Sequence, residues 1–424
     1  MRTLDRPQRW VPGDHLGMDF PADATTLRVG GAGFLTEAFR RTGVLGRDDA
    51  VAAVNELTEF RGGSTGRKAT LSVSYRLPGH LPEDLFVKFS RDFDDPARDL
   101  GRTQMSGEVA FALATRAPGF PIAVPPCLFA DYHEATGTGI LITSRIAYGE
   151  DGIEPHYQKC KDYSMPDAPG HYRALFSALA SLGGADKSGR LPDGLEVATD
   201  MRALSVGDRP PPTAGQLRRR VERLAELATR QPNLLPAEIV GPEFLSRLDH
   251  EVALVAENLD TLWSALSADH RYTALCHWNA NVDNAWFWRD ERGELTCGLL
   301  DWGCVGRMNL AMAIWGALCS AETTLWVNHF DNLIAHFVAE YSDAGGPRID
   351  ASTLSSHVLA YALIMGTSWL LDVPAYLMRV LPDPVPDRMD PRIAGVEQVR
   401  SRLLMMTNFL SLWQRSDMVG LLPG

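Results

Sequence analysis

Residues 275–287 read Leu275-Cys276-His277-Trp278-Asn279-Ala280-Asn281-Val282-Asp283-Asn284-Ala285-Trp286-Phe287, a short stretch holding an imidazole, several amides and a carboxylate. The chain continues through Arg289-Asp290-Glu291-Arg292-Gly293 to Leu299-Leu300-Asp301-Trp302-Gly303. The charged, glycine-ended middle is turn material, and the apolar runs on either side pair as a β-hairpin. A hairpin brings its open ends together. Asn284, entering the first strand, and Asp301, leaving the second, are therefore expected to project into one site. An amide oxygen and a carboxylate are hard oxygen ligands of the kind Mg²⁺ accepts beside substrate phosphates.

The elements that must position these residues fall into two groups. Residues 52–90 read as strands: Leu71-Ser72-Val73-Ser74-Tyr75 alternates, a Pro78-Gly79 turn follows, and Leu85-Phe86-Val87-Lys88-Phe89 is an apolar run with one charge inside it. Arg61-Gly62-Gly63-Ser64-Thr65-Gly66-Arg67-Lys68 is a loop ahead of them. A helix is expected over residues 103–117, stopped by Pro118-Gly119, and a strand over residues 139–142. Residues 148–170, rich in Pro, Asp and Gly, read as a long loop. Leu175, Leu179 and Leu182 then recur at helical spacing, with Gly183-Gly184 as the expected stop. Leu217, Val221, Leu224 and Leu227 mark another helix, and from Asn309 onward the pattern is helical. A strand-rich part followed by a helical part predicts an α+β fold in two lobes, residues 1–145 and 146–424.

With those residues in view, the chain resembles the aminoglycoside phosphotransferase and choline kinase superfamily, which has a protein-kinase-like fold. Its catalytic segment runs His-x-Asp-x-x-x-x-Asn, then a hairpin, then an apolar Asp-Trp or Asp-Phe. His277, Asn284 and Asp301 fall on the histidine, the metal-binding asparagine and the metal-binding aspartate; Asn279 falls on the catalytic aspartate. The resemblance implies ATP or another nucleoside triphosphate with Mg²⁺, and a small-molecule substrate bearing a hydroxyl. It makes Lys88 the lysine that holds the phosphates and Glu108 the helix carboxylate that holds Lys88. An unpaired ammonium inside an apolar strand would in any case be costly. Gly63 and Ser64 would lie in the phosphate-covering turn, and Ser144 in the linker whose backbone meets the adenine. The match covers residues 54–317.

Asn279 is a departure, because an amide cannot take a proton from an attacking hydroxyl at neutral pH. General-base help is worth roughly 10²–10⁴-fold in rate, so its loss does not of itself abolish a reaction dominated by positioning and charge. A second departure is Asn309, where the family commonly has an aspartate bracing the catalytic loop. Asp283 is the carboxylate beside Asn284, and family members carry Asp there without catalytic duty. Three readings stay open on these residues: a phosphotransferase with an altered loop, a pseudokinase that binds without transfer, and a kinase-fold enzyme repurposed for other chemistry. Singly, each residue also has a plain reading. His277 could be a satisfied core histidine, Asp301 a strand cap, Lys88 a snorkelling edge lysine.

Other patterns are set aside. Arg67 separates Gly66 from Lys68, so the loop lacks a P-loop ending. Gly30-Gly31-Ala32-Gly33 lacks a preceding buried strand and reads as a loop. The net charge of −12 argues against nucleic acid or an anionic membrane as a partner. Six scattered cysteines suggest reduced, mostly buried thiols. The N-terminus lacks a signal-peptide apolar run, and the apolar stretch at residues 358–371 reads as a core helix, so a cytoplasmic location is expected.

Overall fold

The fold is that of a computed structural model, which describes residues 9–422 apart from residues 64, 78, 80 and 208. Ser64, and Pro78 of the expected turn, therefore lie outside the described residues. The chain forms two compact units. One comprises the residues up to Ala147 with Leu191–Val197 and Leu299–Val305; the other comprises Tyr148–Arg190, Ala198–Gly298 and the chain from Gly306 on.

The first unit begins with a small ribbon, β1 (Trp10–Pro12) and β2 (Asp19–Pro21), and helix α1 (Ala24–Arg41). Five strands follow: β3 (Val51–Phe60), β4 (Arg67–Tyr75), β5 (Asp84–Phe89), β6 (Cys127–His133) and β7 (Thr138–Ser144). They form one antiparallel sheet in the order β3-β4-β5-β7-β6. Between β5 and β6 lie the short α2 (Pro96–Asp99) and α3 (Met105–Ala114).

Strand side chains alternate between faces, and the alternation here sorts the sheet into two cores. Leu85, Val87 and Phe89 of β5, with Ile140 and Ile142 of β7, pack with Leu27, Phe34 and Phe39 of α1. Leu141, one residue out of phase, packs with Met105 and Val109 of α3 on the opposite face. Lys88 shares Leu141's phase and is its cross-strand partner. The period of the strand alone therefore delivers the lysine to the face where α3 carries Glu108.

The second unit is mainly helical: α4 (Ala168–Lys187), α5 (Met201–Val206), α6 (Ala214–Arg230) and α7 (Pro242–Ala268) precede the central hairpin. Strands β8 (Thr273–His277), β9 (Ala285–Arg289), β10 (Leu295–Leu299) and β11 (Val305–Asn309) pair as β9 with β10 and β8 with β11. Then come α8 (Leu310–Leu318), α9 (Thr323–Asn328), α10 (Phe330–Asp343), α11 (Ala351–Ser368), α12 (Val373–Val380), α13 (Pro391–Ala394) and α14 (Glu397–Arg415). Helix α6 starts at a reciprocal capping box of Thr213 and Gln216 and buries Leu217, Val221, Leu224 and Leu227, the stripe expected from its sequence. The apolar stretch Ala351–Val380 is 78% buried over its most hydrophobic window, as a core helix should be. The mixed class, strand-rich first and helical afterwards, is the one the sequence pattern predicts.

Three local expectations fail for physical reasons. Gly183-Gly184 does not stop a helix, since α4 runs through both. A Cβ on Gly184 would lie 2.6 Å from the Ala344 side chain and 2.8 Å from the Tyr341 carbonyl, so the pair serves close helix approach instead. Gly30 to Gly33 is not a loop but the middle of α1, kinked where Gly31 adopts φ 52°. The expected helix over 103–117 ends earlier, at Ala114.

Gly316 has the tightest of these roles. A Cβ there would fall 1.8 Å from the Trp278 carbonyl oxygen. Helix α8 can lie directly on the backbone that carries Asn279 because this position has no side chain. Gly316→Ala is expected to cost about 1–3 kcal/mol by overpacking, read as a lowered denaturation midpoint, and to shift the Asn279 backbone amide resonance.

Candidate functional site

The strand-rich unit brings the predicted charged residues together. Lys88 Nζ donates to Glu108 Oε2 at 2.6 Å and to Asp301 Oδ1 at 2.7 Å. Lys88 and Glu108 are 8% and 3% exposed, so both charges sit in low dielectric. Burial pulls the Lys88 ammonium down, but Asp301 and Glu108 outweigh it and hold the group above the ordinary lysine range. Burial pushes the Glu108 carboxyl up against the pull of Lys88, and the Asp301 charge adds to that push. The ammonium is the group that keeps two neighbouring carboxylates compatible.

Asp301 is aimed by its neighbour. Trp302 stacks on Phe111 of α3, with ring centroids 4.0 Å apart, and its Nε1 donates to the Leu299 carbonyl at 3.2 Å. Phe111 lies three residues after Glu108, hence on the same helix face. Docking Trp302 on that face sets Asp301 beside Glu108's lysine. Asp301 takes φ +62°, a left-handed conformation uncommon for a residue with a side chain. Such strain persists where surrounding contacts over-determine it.

Sequence reasoning missed Lys68. It is the direct cross-strand partner of Lys88, so the two side chains share a face. Its Nζ lies 3.8 Å from Asp301 Oδ2, leaving Asp301 between two ammonium groups. Like charges opposed across strands are unfavourable unless an anion lies between them. The only signal in the sequence was the charge itself; which residue faces Lys88 depends on the register of β4 against β5.

The glycine loop ahead of β4 is clamped. Arg98 donates to the carbonyls of Gly62 (3.1 Å), Gly63 (2.7 Å), Thr65 (3.3 Å) and Gly66 (2.8 Å). Asp92, 1% exposed, accepts from Arg98 at 3.2 Å and from Arg67 at 2.9 Å. Gly63, at φ +65°, faces the site: a Cβ there would be 3.1 Å from Lys68 Nζ. Ser144 ends β7, and its N–H already donates to the Pro126 carbonyl at 3.0 Å.

In the helical unit, His277, Asn279 and Asn284 share one loop built from neutral amides. The fully buried His277 accepts the Asn279 N–H at its Nδ1, 3.2 Å away. Asn279 Oδ1 accepts from Asn281 Nδ2 at 2.6 Å, and Asn281 Oδ1 in turn accepts the Ser320 hydroxyl. Asn284 Nδ2 donates to the Asn279 carbonyl at 2.8 Å. Trp278 is held by Tyr361, its indole N–H donating to the phenol oxygen at 2.6 Å. Asn309 caps α8 through the Ala311 N–H and donates to the Leu266 carbonyl, a role in helix capping. Asp283 pairs with Lys159 at 3.4 Å, while its other oxygen, Oδ1, is buried without a hydrogen-bond partner. Burial pushes its carboxyl up and Lys159 partly offsets that.

No family model and no curated protein matches the chain. Among solved structures it is similar to choline kinase from Cryptosporidium parvum Iowa II, at 14% identity over 87% of this chain and 91% of that one, TM-score 0.40. It is also similar to spectinomycin phosphotransferase in complex with ADP and spectinomycin, at 11% identity over 87% and 92%, TM-score 0.39. A microcompartment-associated aminopropanol kinase matches at 12% identity over 90% and 96%, TM-score 0.41. These likenesses are distant.

Removing Lys88 leaves Glu108 buried without its hydrogen-bonded cation. Lys88→Met is expected to cost about 3–5 kcal/mol near neutral pH. The deficit should shrink as pH falls toward 4: a carboxyl with a raised folded pKa destabilises above its unfolded pKa, and protonation removes the penalty. Urea titrations at pH 4.5 and 7.5 read this directly. Adding Glu108→Leu should restore much of the stability at the higher pH.

Proposed function

We propose that the chain is a nucleoside-triphosphate-dependent phosphotransferase of the kinase-like fold, acting on the hydroxyl of a small molecule. The observation that carries this reading is the buried Lys88 ammonium, held at once by Glu108 and by Asp301. A lysine poised between a helix carboxylate and a second, more exposed one is placed to take phosphate oxygens without leaving the first.

In this reading Lys88 and Lys68 meet the phosphate oxygens of ATP, and Gly63 lets the loop backbone approach them. Asp301 is the magnesium ligand of the strand-rich unit, and Asn284 the second ligand expected from the sequence. An oxygen set this small suits magnesium, which takes one or two protein ligands and completes its shell with phosphate and water. The ion would neutralise phosphate charge as the γ-phosphoryl group transfers. The acceptor oxygen forms a bond to the γ-phosphorus while the bond to the β–γ bridging oxygen breaks and the nucleoside diphosphate leaves. Asn279 orients the acceptor hydroxyl by hydrogen bonding. Since it is no base, the hydroxyl proton departs to solvent or to the transferred phosphoryl oxygen. The site is expected to work in the cytoplasm.

One observation favours a second reading, a pseudokinase. The Asn279 side-chain oxygen is already engaged by Asn281. An amide whose oxygen is already taken can hold the loop in shape for binding without transfer.

Two variants and one binding measurement separate the readings. Asp301→Ala should abolish nucleotide-dependent product formation, and unchanged activity there would refute the metal assignment. Asn279→Asp restores a carboxylate and should raise turnover by about 10²-fold or more if transfer occurs, followed by mass spectrometry of the product. Binding of ATP and magnesium without any nucleotide consumption would instead support the pseudokinase. Separately, Lys68→Ala should weaken ATP affinity by about tenfold in calorimetry, the worth of one charge-assisted contact, while Lys68→Arg retains most of it.

A further inference from the structure

The helical unit contains a cavity of about 450 Å³ that the phosphate chemistry does not use. That volume is within the range of small-molecule sites, roughly 300–1,000 Å³. Its walls come from the loop before α4, from the start of α9, and from α13 and α14. Ile393, Leu403 and Leu404 form an apolar floor, 1%, 4% and 7% exposed. Tyr163 and Met389 line it too, yet are 49% and 50% exposed. Two large hydrophobic side chains left in solvent at the rim of an apolar cavity are what a bound apolar body would cover.

The charged groups around it are not balanced in their freedom. Glu322 is on the wall, but both its oxygens lie 2.9 Å from Arg388 Nη1, so its charge is matched. Asp387, also on the wall, turns its Oδ1 to the Met389 N–H. Asp162 lies in the loop behind: its Oδ2 accepts from Tyr172 and from the Glu322 N–H, and burial pushes its carboxyl up to about 6. Asp162 Oδ1 and Asp283 Oδ1 lack partners but are sealed from solvent, and so from a cavity that solvent enters. Lys159 is committed to Asp283.

Arg400 differs from all of these. It is 8% exposed, lines the cavity, and donates to neutral oxygens: the carbonyls of Lys159 (2.9 Å) and Ala394 (3.2 Å) and the Gln158 amide (3.5 Å). Carbonyl dipoles solvate a guanidinium without cancelling its charge. The ion pair it makes among the described residues is with Glu397, 61% exposed and at 3.9 Å, a geometry worth little. A buried cation beside an apolar floor selects an anion carrying an apolar body.

We infer that this cavity binds a small organic acid, its carboxylate recognised by Arg400 and its apolar body lying on Ile393, Leu403 and Leu404. The inference does not rest on the nucleotide reading, and its test is made without nucleotide. Isothermal titration of the full chain with octanoate, octanol and octylammonium reads the head-group preference. Octanoate should bind saturably and at least about tenfold more tightly than the other two. Equal affinities for all three, or tighter binding of octylammonium, would overturn the assignment to Arg400. Leu404→Trp fills the floor and should abolish octanoate binding with the far-ultraviolet circular dichroism unchanged; undiminished binding there would move the ligand elsewhere. Arg400→Gln should bring octanoate down to the affinity of octanol. If that variant unfolds, the head-group comparison in the native protein together with Leu404→Trp still decides.

Discussion

A single buried ammonium organises the strand-rich unit. Lys88 lies in a strand whose other inward residues, Leu85, Val87 and Phe89, are fully buried against the α1 side. The charge therefore emerges on the opposite face, where leaving it alone would cost several kcal/mol. Glu108 from α3 and Asp301 from the segment after the hairpin answer it at 2.6 and 2.7 Å. The docking of α3, the stacking of Trp302 on Phe111 and the left-handed backbone of Asp301 together bring those carboxylates to one nitrogen.

Rigidity around that nitrogen comes from a second layer. Arg98 gathers four loop carbonyls and is itself held by the buried Asp92, which also holds Arg67. The turn that precedes β4 is thus fixed by charge-assisted bonds rather than by packing, in keeping with its glycines. The loop of the helical unit is stabilised differently. Its His277, Asn279, Asn281 and Asn284 are linked by uncharged hydrogen bonds, and Gly316 lets α8 press against the backbone there. An amide network of this kind fixes side-chain positions without ion pairing among its members.

Much of this was legible one residue at a time. A lone lysine in an apolar strand demands a carboxylate, and the helix that follows offered Glu108. The hairpin turn at residues 289–293 and the stripe of α6 were readable from period and turn chemistry. Less was legible where glycine was concerned. Gly30, Gly31, Gly183 and Gly184 look like punctuation in sequence, but they sit inside helices: a neighbouring side chain or helix comes too close for a Cβ at Gly30 and Gly184, and Gly31 takes the positive φ of the α1 kink. Strand β6 also escaped detection. It carries a buried aspartate, Asp131, which is tolerated because the backbone N–H groups of His15 and Leu16 donate to it at 3.0 and 3.1 Å.

The division has a physical basis. Local pattern sets which face of a strand or helix a side chain occupies, because the periods of 2 and 3.6 belong to the backbone; it marked Lys88 as a charge inside an apolar strand and the runs on either side of residues 289–293 as a hairpin. Register and close approach belong to no single segment. Lys68 became a neighbour of Asp301 only through the pairing of β4 with β5, and Arg400 became a cavity wall only through the packing of α14 against a loop more than two hundred residues earlier in the chain. Such contacts are chosen by the sum of burial over many residues, so the tertiary structure alone decided them.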